Sequence, residues 1–185
     1  MSEYKIALED NDSYVCSSTD RVFEGMSGLV VCEECGYRTD FEYINPDFEL
    51  KNTAKDLSCT WDGYYIASKE IVDLVNEAGI ENVEFIEISK SQGFHYMFVR
   101  NIVKFDTEKR GCRSSKMCGS CGNYESYVGA RPSFLEESLP ASLCFSDVRF
   151  GSGNSKHPLL FCSEGFMKVL KSAKVKGLRF EQVQI

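Results

Sequence analysis

A chain of 185 residues, 43% hydrophobic and 26% charged with only four prolines, can bury a sizeable core without staples, which excludes a disordered or low-complexity protein. The N-terminal stretch MSEYKIALEDND is acidic and no run reaches the ~18 apolar residues that span a bilayer, so no export signal or membrane contact is expected and the cytoplasm is the expected compartment. The net charge of −7 is unevenly spread: residues 1–92 carry 20 acidic and 7 basic side chains, residues 93–185 carry 8 and 14. Either the two halves attract each other, or one half offers an acidic field that steers a basic partner.

In chain order, short strands are expected over residues 4–8 and 28–31. The second leads into VCEECGYRTD, where Cys32 and Cys35 stand two residues apart with Gly36 behind them. Residues 63–88 then read as strand, helix, strand. Tyr64, Tyr65 and Ile66 are β-formers and Ser68 sits where a hydroxyl caps a helix. Ile71, Val72, Leu74, Val75 and Ala78 recur at helical spacing, Gly79 stops the helix, and Val83, Phe85 and Ile88 open the closing strand. Further strands are expected over residues 96–99, 102–105 and 124–128, with SQG and GSGNS as turns.

Before the last of these strands lies CGSCG, in which Cys118 and Cys121 repeat Cys32 and Cys35 at a common shift of 86 residues. Residues 158–183 repeat residues 63–88 at a shift of 95. Only Ser68/Ser163, Ala78/Ala173 and Phe85/Phe180 are identical, yet each apolar position of the second segment after its proline falls on an apolar position of the first. The helix surfaces differ in sign, with Glu70, Asp73 and Glu77 on one and Lys168, Lys171 and Lys174 on the other. The expected fold is α+β and mostly antiparallel. It is one domain over residues 1–185, built of two pseudo-repeats (about 1–92 and 93–185) of cysteine knuckle plus strand–helix–strand joined by a shared metal site.

Nine cysteines in a chain without an export signal point to metal ligands and buried thiols, not to a disulfide framework. Two C-x-x-C-G turns can bring four sulfurs to one tetrahedral ion, so Cys32, Cys35, Cys118 and Cys121 are the expected ligands of one structural zinc. Three alternatives stand beside this: a thioredoxin-like redox pair, a site that uses Cys112, and buried cysteines without metal. Cys16, Cys59, Cys144 and Cys162 lack ligand spacing and read as packing residues. His95 in a strand and His157 in a turn read as ordinary surface histidines. No nucleophile elbow, zinc-protease helix or phosphate loop is present, and the sequence is read as that of a non-enzyme.

The paired knuckles, the repeated apolar–Ser segment and the ending FCSEGFMKVLKSAKVKGLRFEQV together resemble the double-CXXCG motif family. Members of that family are regarded as immunity proteins of bacterial polymorphic-toxin systems. The resemblance spans residue 28 to the C-terminus. It implies a cytoplasmic protein that neutralises a cognate toxin domain, such as a basic nuclease, without touching nucleic acid itself. An acidic N-terminal half would then mimic a polyanion, with Glu33, Glu34, Asp40, Glu42, Asp47 and Glu49 as candidate contacts. The competing reading is a zinc-containing nucleic-acid binder that uses Lys168, Lys171, Lys174 and Lys176.

Overall fold

The computed structural model describes residues 2–16, 28–51 and 54–185. Its elements in chain order are β1 (Glu3–Leu8), β2 (Leu57–Cys59), β3 (Tyr65–Ser68), α1 (Lys69–Glu77), β4 (Val83–Glu87), β5 (Phe94–Val99) and β6 (Ile102–Val103). They continue with α2 (Thr107–Arg110), β7 (Arg113–Ser114), β8 (Ser126–Val128), β9 (Leu143–Ser152), β10 (His157–Ser163), α3 (Glu164–Ser172) and β11 (Leu178–Gln182). The class is α+β, with mostly antiparallel sheets and few helices.

One sheet runs β2-β3-β5-β4 and the other β11-β1-β10-β9-β8-β7, with β6 parallel to β9. The first sheet is therefore closed by the hairpin that follows its own helix. The second takes an inner strand, β1, from the other end of the chain. The pairings of the two tracts correspond residue by residue. In the first, Ser58 pairs Ile66, Ile66 pairs Tyr96 and Phe85 pairs Met97. In the second, Cys144 pairs Phe161, Phe161 pairs Lys5 and Phe180 pairs Ile6. Helix ends agree as well: Ile80 N–H donates to the Val75 carbonyl, and Val175 N–H to that of Leu170.

Side-chain alternation divides each sheet between an inner and an outer core. Tyr65 and Ala67 of β3 and Leu160 and Cys162 of β10 face one shared interior, which also receives Ile71 and Val75 of α1 and Phe166, Met167 and Leu170 of α3. Both helices thus bury their apolar stripe in the same place, each with an i, i+4 pair at its centre. The opposite faces hold separate clusters: Tyr64, Ile66 and Tyr96 with Phe48 on the first sheet, and Leu159 and Phe161 with Phe105 and Phe150 on the second.

Several expectations need correction. Residues 28–31 form no strand. The chain turns back at the knuckle, so Val31 finds only the isolated bridge partner Arg38, and Val30 stays exposed. Strands β2 and β9 were not anticipated. β9 is ten residues long, although Asp147, Arg149 and Gly151 break its β pattern. It persists because β6, β8 and β10 all pair with it. GSGNS forms the end of β9 and a 3-10 turn, Gly153–Ser155. His157 opens β10, with its ring edge-on to Tyr65.

Candidate metal centre

Each knuckle is a tight turn closed by its own backbone. Cys32 N–H donates to the Tyr37 carbonyl at 2.9 Å and Gly36 N–H to that of Cys32 at 2.8 Å; Cys118 and Gly122 repeat this with Asn123 and Cys118 at 2.8 and 3.0 Å. The turn needs a left-handed residue four places after its start, and Gly36 (φ 71°) and Gly122 (φ 70°) supply it. In this conformation both cysteines of a knuckle aim their sulfurs to one side.

The two turns face each other. The four sulfurs of Cys32, Cys35, Cys118 and Cys121 all lie within 4.8 Å of one another, with Cys32 and Cys118 at 3.8 Å and Cys35 and Cys121 at 3.6 Å. A tetrahedral ion with metal–sulfur bonds of ~2.3 Å has edges of about 3.8 Å, so the spacing suits one metal ion. It is far too long for a disulfide, whose sulfurs lie about 2.05 Å apart, and all nine cysteines are free thiols. Four soft thiolate donors suit zinc or iron. Cys112 lies outside the quartet: it donates to the Gly129 carbonyl at 3.5 Å and packs on the second outer core. Neither knuckle opens a helix among the described residues, which removes the usual source of a reactive redox thiol.

Donors around the sulfurs divide their protons unequally. The Asn123 backbone N–H and side-chain amide hold Cys121 down to about 7. Cys35 receives the Tyr37 backbone N–H, which lowers it, yet desolvation and its bonds to the other three sulfurs push it up to about 12. Elsewhere burial makes the thiols inert: Cys16 rises to about 11, and Cys59 and Cys162 to about 12.

The segment between β9 and β10 clamps both knuckles. Asn154 Oδ1 accepts from Arg38 N–H at 3.1 Å, and Gly153 N–H donates to the Glu125 carbonyl at 2.7 Å. The Lys156 ammonium lies 4.7 Å over the Tyr37 ring and donates to the Tyr124 carbonyl. Sequence reasoning missed this clamp, and it missed Arg38. That side chain is 2% exposed, donates to the Asp62 carbonyl and stacks 4.6 Å over Tyr64. Asp62 in turn accepts from the backbone of Val15 and Cys16 and from the Thr60 hydroxyl. An arginine in GYRTD carries no sequence signal that separates it from a surface charge.

The six acidic candidates do not form one patch of free carboxylates. Glu33 and Glu34 are exposed on the first knuckle, and Glu34 accepts from Ser120 of the second. Asp40 accepts from the Glu42 backbone at 2.9 Å. Glu42 pairs with Arg100, and Asp47 with Lys90 at 2.7 Å. Glu49 is exposed beside the buried Phe48.

No helix among the described residues is long and apolar enough to cross a membrane. No protein-family model and no curated protein matches the chain.

Proposed function

We propose that this protein is an immunity protein, acting in the cytoplasm, that binds a cognate bacterial toxin and occludes its active or binding surface. The observation that carries the reading is the convergence of two cysteine knuckles, 86 residues apart, on one cluster of four sulfurs within 4.8 Å of one another. A four-cysteine site without an open ligand position is a structural device, because a catalytic zinc keeps one position for water or substrate. The ion is zinc, and it pins two halves that are copies of one unit. Support for the duplication comes from strand pairings that coincide at constant sequence shifts across both tracts. A rigid scaffold of this kind serves recognition, and the exposed Glu33 and Glu34 on the knuckle offer charge to a basic partner.

Two of the four lysines of the nucleic-acid reading are engaged within their own half. Lys168 pairs with Glu164 at 2.8 Å and Lys171 lies 5.3 Å over Phe180. The toxin-binding reading is therefore preferred. Its test is native mass spectrometry of the chain co-expressed with the inactivated product of the adjacent reading frame. A one-to-one complex that retains zinc is expected. A free, zinc-loaded chain would remove the immunity role and leave the scaffold intact.

A further inference from the structure

The correspondence between the sheets creates two equivalent clefts at the seam where they meet. One, of about 450 Å³, lies between the end of β5 (Met97, Phe98, Val99) and β9 (Phe145, Ser146, Asp147). The other, of about 350 Å³, lies between β1 (Ile6, Ala7, Leu8) and the end of β2 (Cys59, Thr60, Trp61). These residue sets are related by the same shifts that relate the strand pairings. Whatever distinguishes the clefts has therefore been added to a common frame.

The difference is one arginine. In the smaller cleft Lys5 and Arg131 are both held by Glu181, at 2.6 and 2.8 Å. In the larger, Arg100 is held by Glu42 and Glu84, and one oxygen of Asp147 accepts the Phe105 N–H at 2.9 Å. Arg149 alone has no ion pair or hydrogen bond among the described residues. It lines the cleft, half-buried, with its guanidinium 3.7 Å over the Phe41 ring. Arg38 lies against the same ring, 5.1 Å from its centroid. Desolvation and then the Arg38 charge lower the Arg149 guanidinium to about 10, so the fold holds a cation there at a cost. A guanidinium with its flat face taken by an aromatic ring still presents its edge donors, the geometry that receives a carboxylate.

Apart from the Glu42–Arg100 ion pair, Ser146 and Asp147, the rest of the wall is apolar. Tyr64, Tyr65, Met97, Phe98 and Phe145 line the same cleft, and the Tyr65 hydroxyl is already spent on the Pro158 carbonyl at 2.5 Å. A cavity of this volume that joins an aromatic wall to a few placed polar groups, one of them a cation without an ion pair among the described residues, has the make-up of a small-molecule site. From these observations we infer that the cleft between β5 and β9 binds a small organic acid, its carboxylate on Arg149 and its flat apolar body against the aromatic wall. This does not rest on the toxin-binding reading and survives its failure.

The test is a titration of the zinc-loaded, nitrogen-15-labelled full chain with benzoate and with its neutral isostere benzamide, followed by amide and arginine side-chain resonances. Benzoate should shift the resonances of Phe41, Tyr64, Phe98 and Arg149 and bind about tenfold more tightly than benzamide, the factor that one charge-assisted pair supplies. Arg149→Met removes the guanidinium but keeps a long flexible side chain in the cleft, and should bring benzoate down to the affinity of benzamide. Equal binding of the two probes to the wild type, or shifts confined to other regions, would overturn the site. Inorganic phosphate matching benzoate would overturn the organic body. Should R149M not fold, the wild-type difference between the two probes decides alone.

Discussion

The tract β2-β3-α1-β4-β5 and the tract β9-β10-α3-β11-β1 share strand order, direction and register, yet they differ where the chain is free to change. Between the hydroxyl residue and the residue whose N–H it accepts, the first tract has three residues (Thr60 to Tyr64) and the second has twelve (Ser146 to Leu159), because there β9 and β10 run on and pair again at Arg149–Pro158 and Phe150–His157. Both hydroxyls still accept the N–H on the far side, Tyr64 at 2.9 Å and Leu159 at 2.8 Å. The longer connection carries Arg149 into the cleft and Asn154 and Lys156 onto the knuckles. Register is fixed by the shared interior, because a one-residue slip would turn every apolar side chain outward. Hairpin length is not so fixed, and Arg149, Asn154 and Lys156 all lie in the longer one.

The metal site offers the most severe test of this equivalence. Cys35 and Cys118 come from opposite knuckles, and each supplies one of the four clustered sulfurs. Cys35→Ser and Cys118→Ser should each abolish stoichiometric zinc and lower Tm by on the order of 10 °C, since metal-binding energy is folding energy. Metal content by mass spectrometry and a calorimetric melt measure both. If only one variant lost its metal, the two knuckles would not be equal partners.

The shared core gives the next test. Ile71 and Phe166 occupy corresponding positions of α1 and α3, 1% and 4% exposed, in one interior. Ile71→Ala should cost about 2–5 kcal/mol and Phe166→Ala about 3–5 kcal/mol. Each should shift the whole transition and not one half of it. Urea curves followed by Trp61 emission, which reports on the first tract, and by far-ultraviolet circular dichroism should coincide. Separated midpoints would mean that the tracts unfold independently.

Much of this was legible in the sequence. The C-x-x-C-G spacing announced both knuckles, and the apolar pattern after Ser68 and Ser163 announced both helices, because tight turns and amphipathic stripes are local properties. The partner of β10 and β11 was not legible. Nothing local in EYKIAL says that it will enter between two strands from the last thirty residues or so, and Lys5 in its middle reads as exposed, whereas it is 3% exposed. β9 was hidden for a related reason: its charged and glycine positions suit a strand only once neighbours on both sides hold it. The cleft depends on tertiary juxtaposition, and no spacing of residues predicts it.

Lys5 marks a second divergence, since its counterpart at the centre of the first sheet is Tyr96. Burial lowers the Lys5 ammonium despite Glu181, which pairs with it at 2.6 Å. Glu181→Gln would leave a buried cation without its anion and should cost about 2 kcal/mol, less than a fully buried pair because Glu181 is one-third exposed. Lys5→Met should stay within about 1 kcal/mol of wild type, since Glu181 keeps Arg131 and the methionine fills the space of the stem. Denaturation midpoints for both variants settle the order, and a larger loss for Lys5→Met would show that the ammonium itself holds the sheet.

The smallest effects should come from the helix starts. Ser163 and Ser68 are the N-caps of α3 and α1, with extended backbones of nearly the same geometry. Only Ser163 uses its hydroxyl to cap, accepting from Phe166 N–H at 3.3 Å; the Ser68 hydroxyl is buried without a partner among the described residues. Ser163→Ala should therefore cost about 1 kcal/mol, while Ser68→Ala should be neutral or slightly stabilising, because it removes a polar group that burial leaves unsatisfied. Paired chemical-denaturation curves resolve a difference of this size. Equal losses at the two serines would mean that Ser68 caps its helix in solution, and that the two helix starts are as alike as their strand registers.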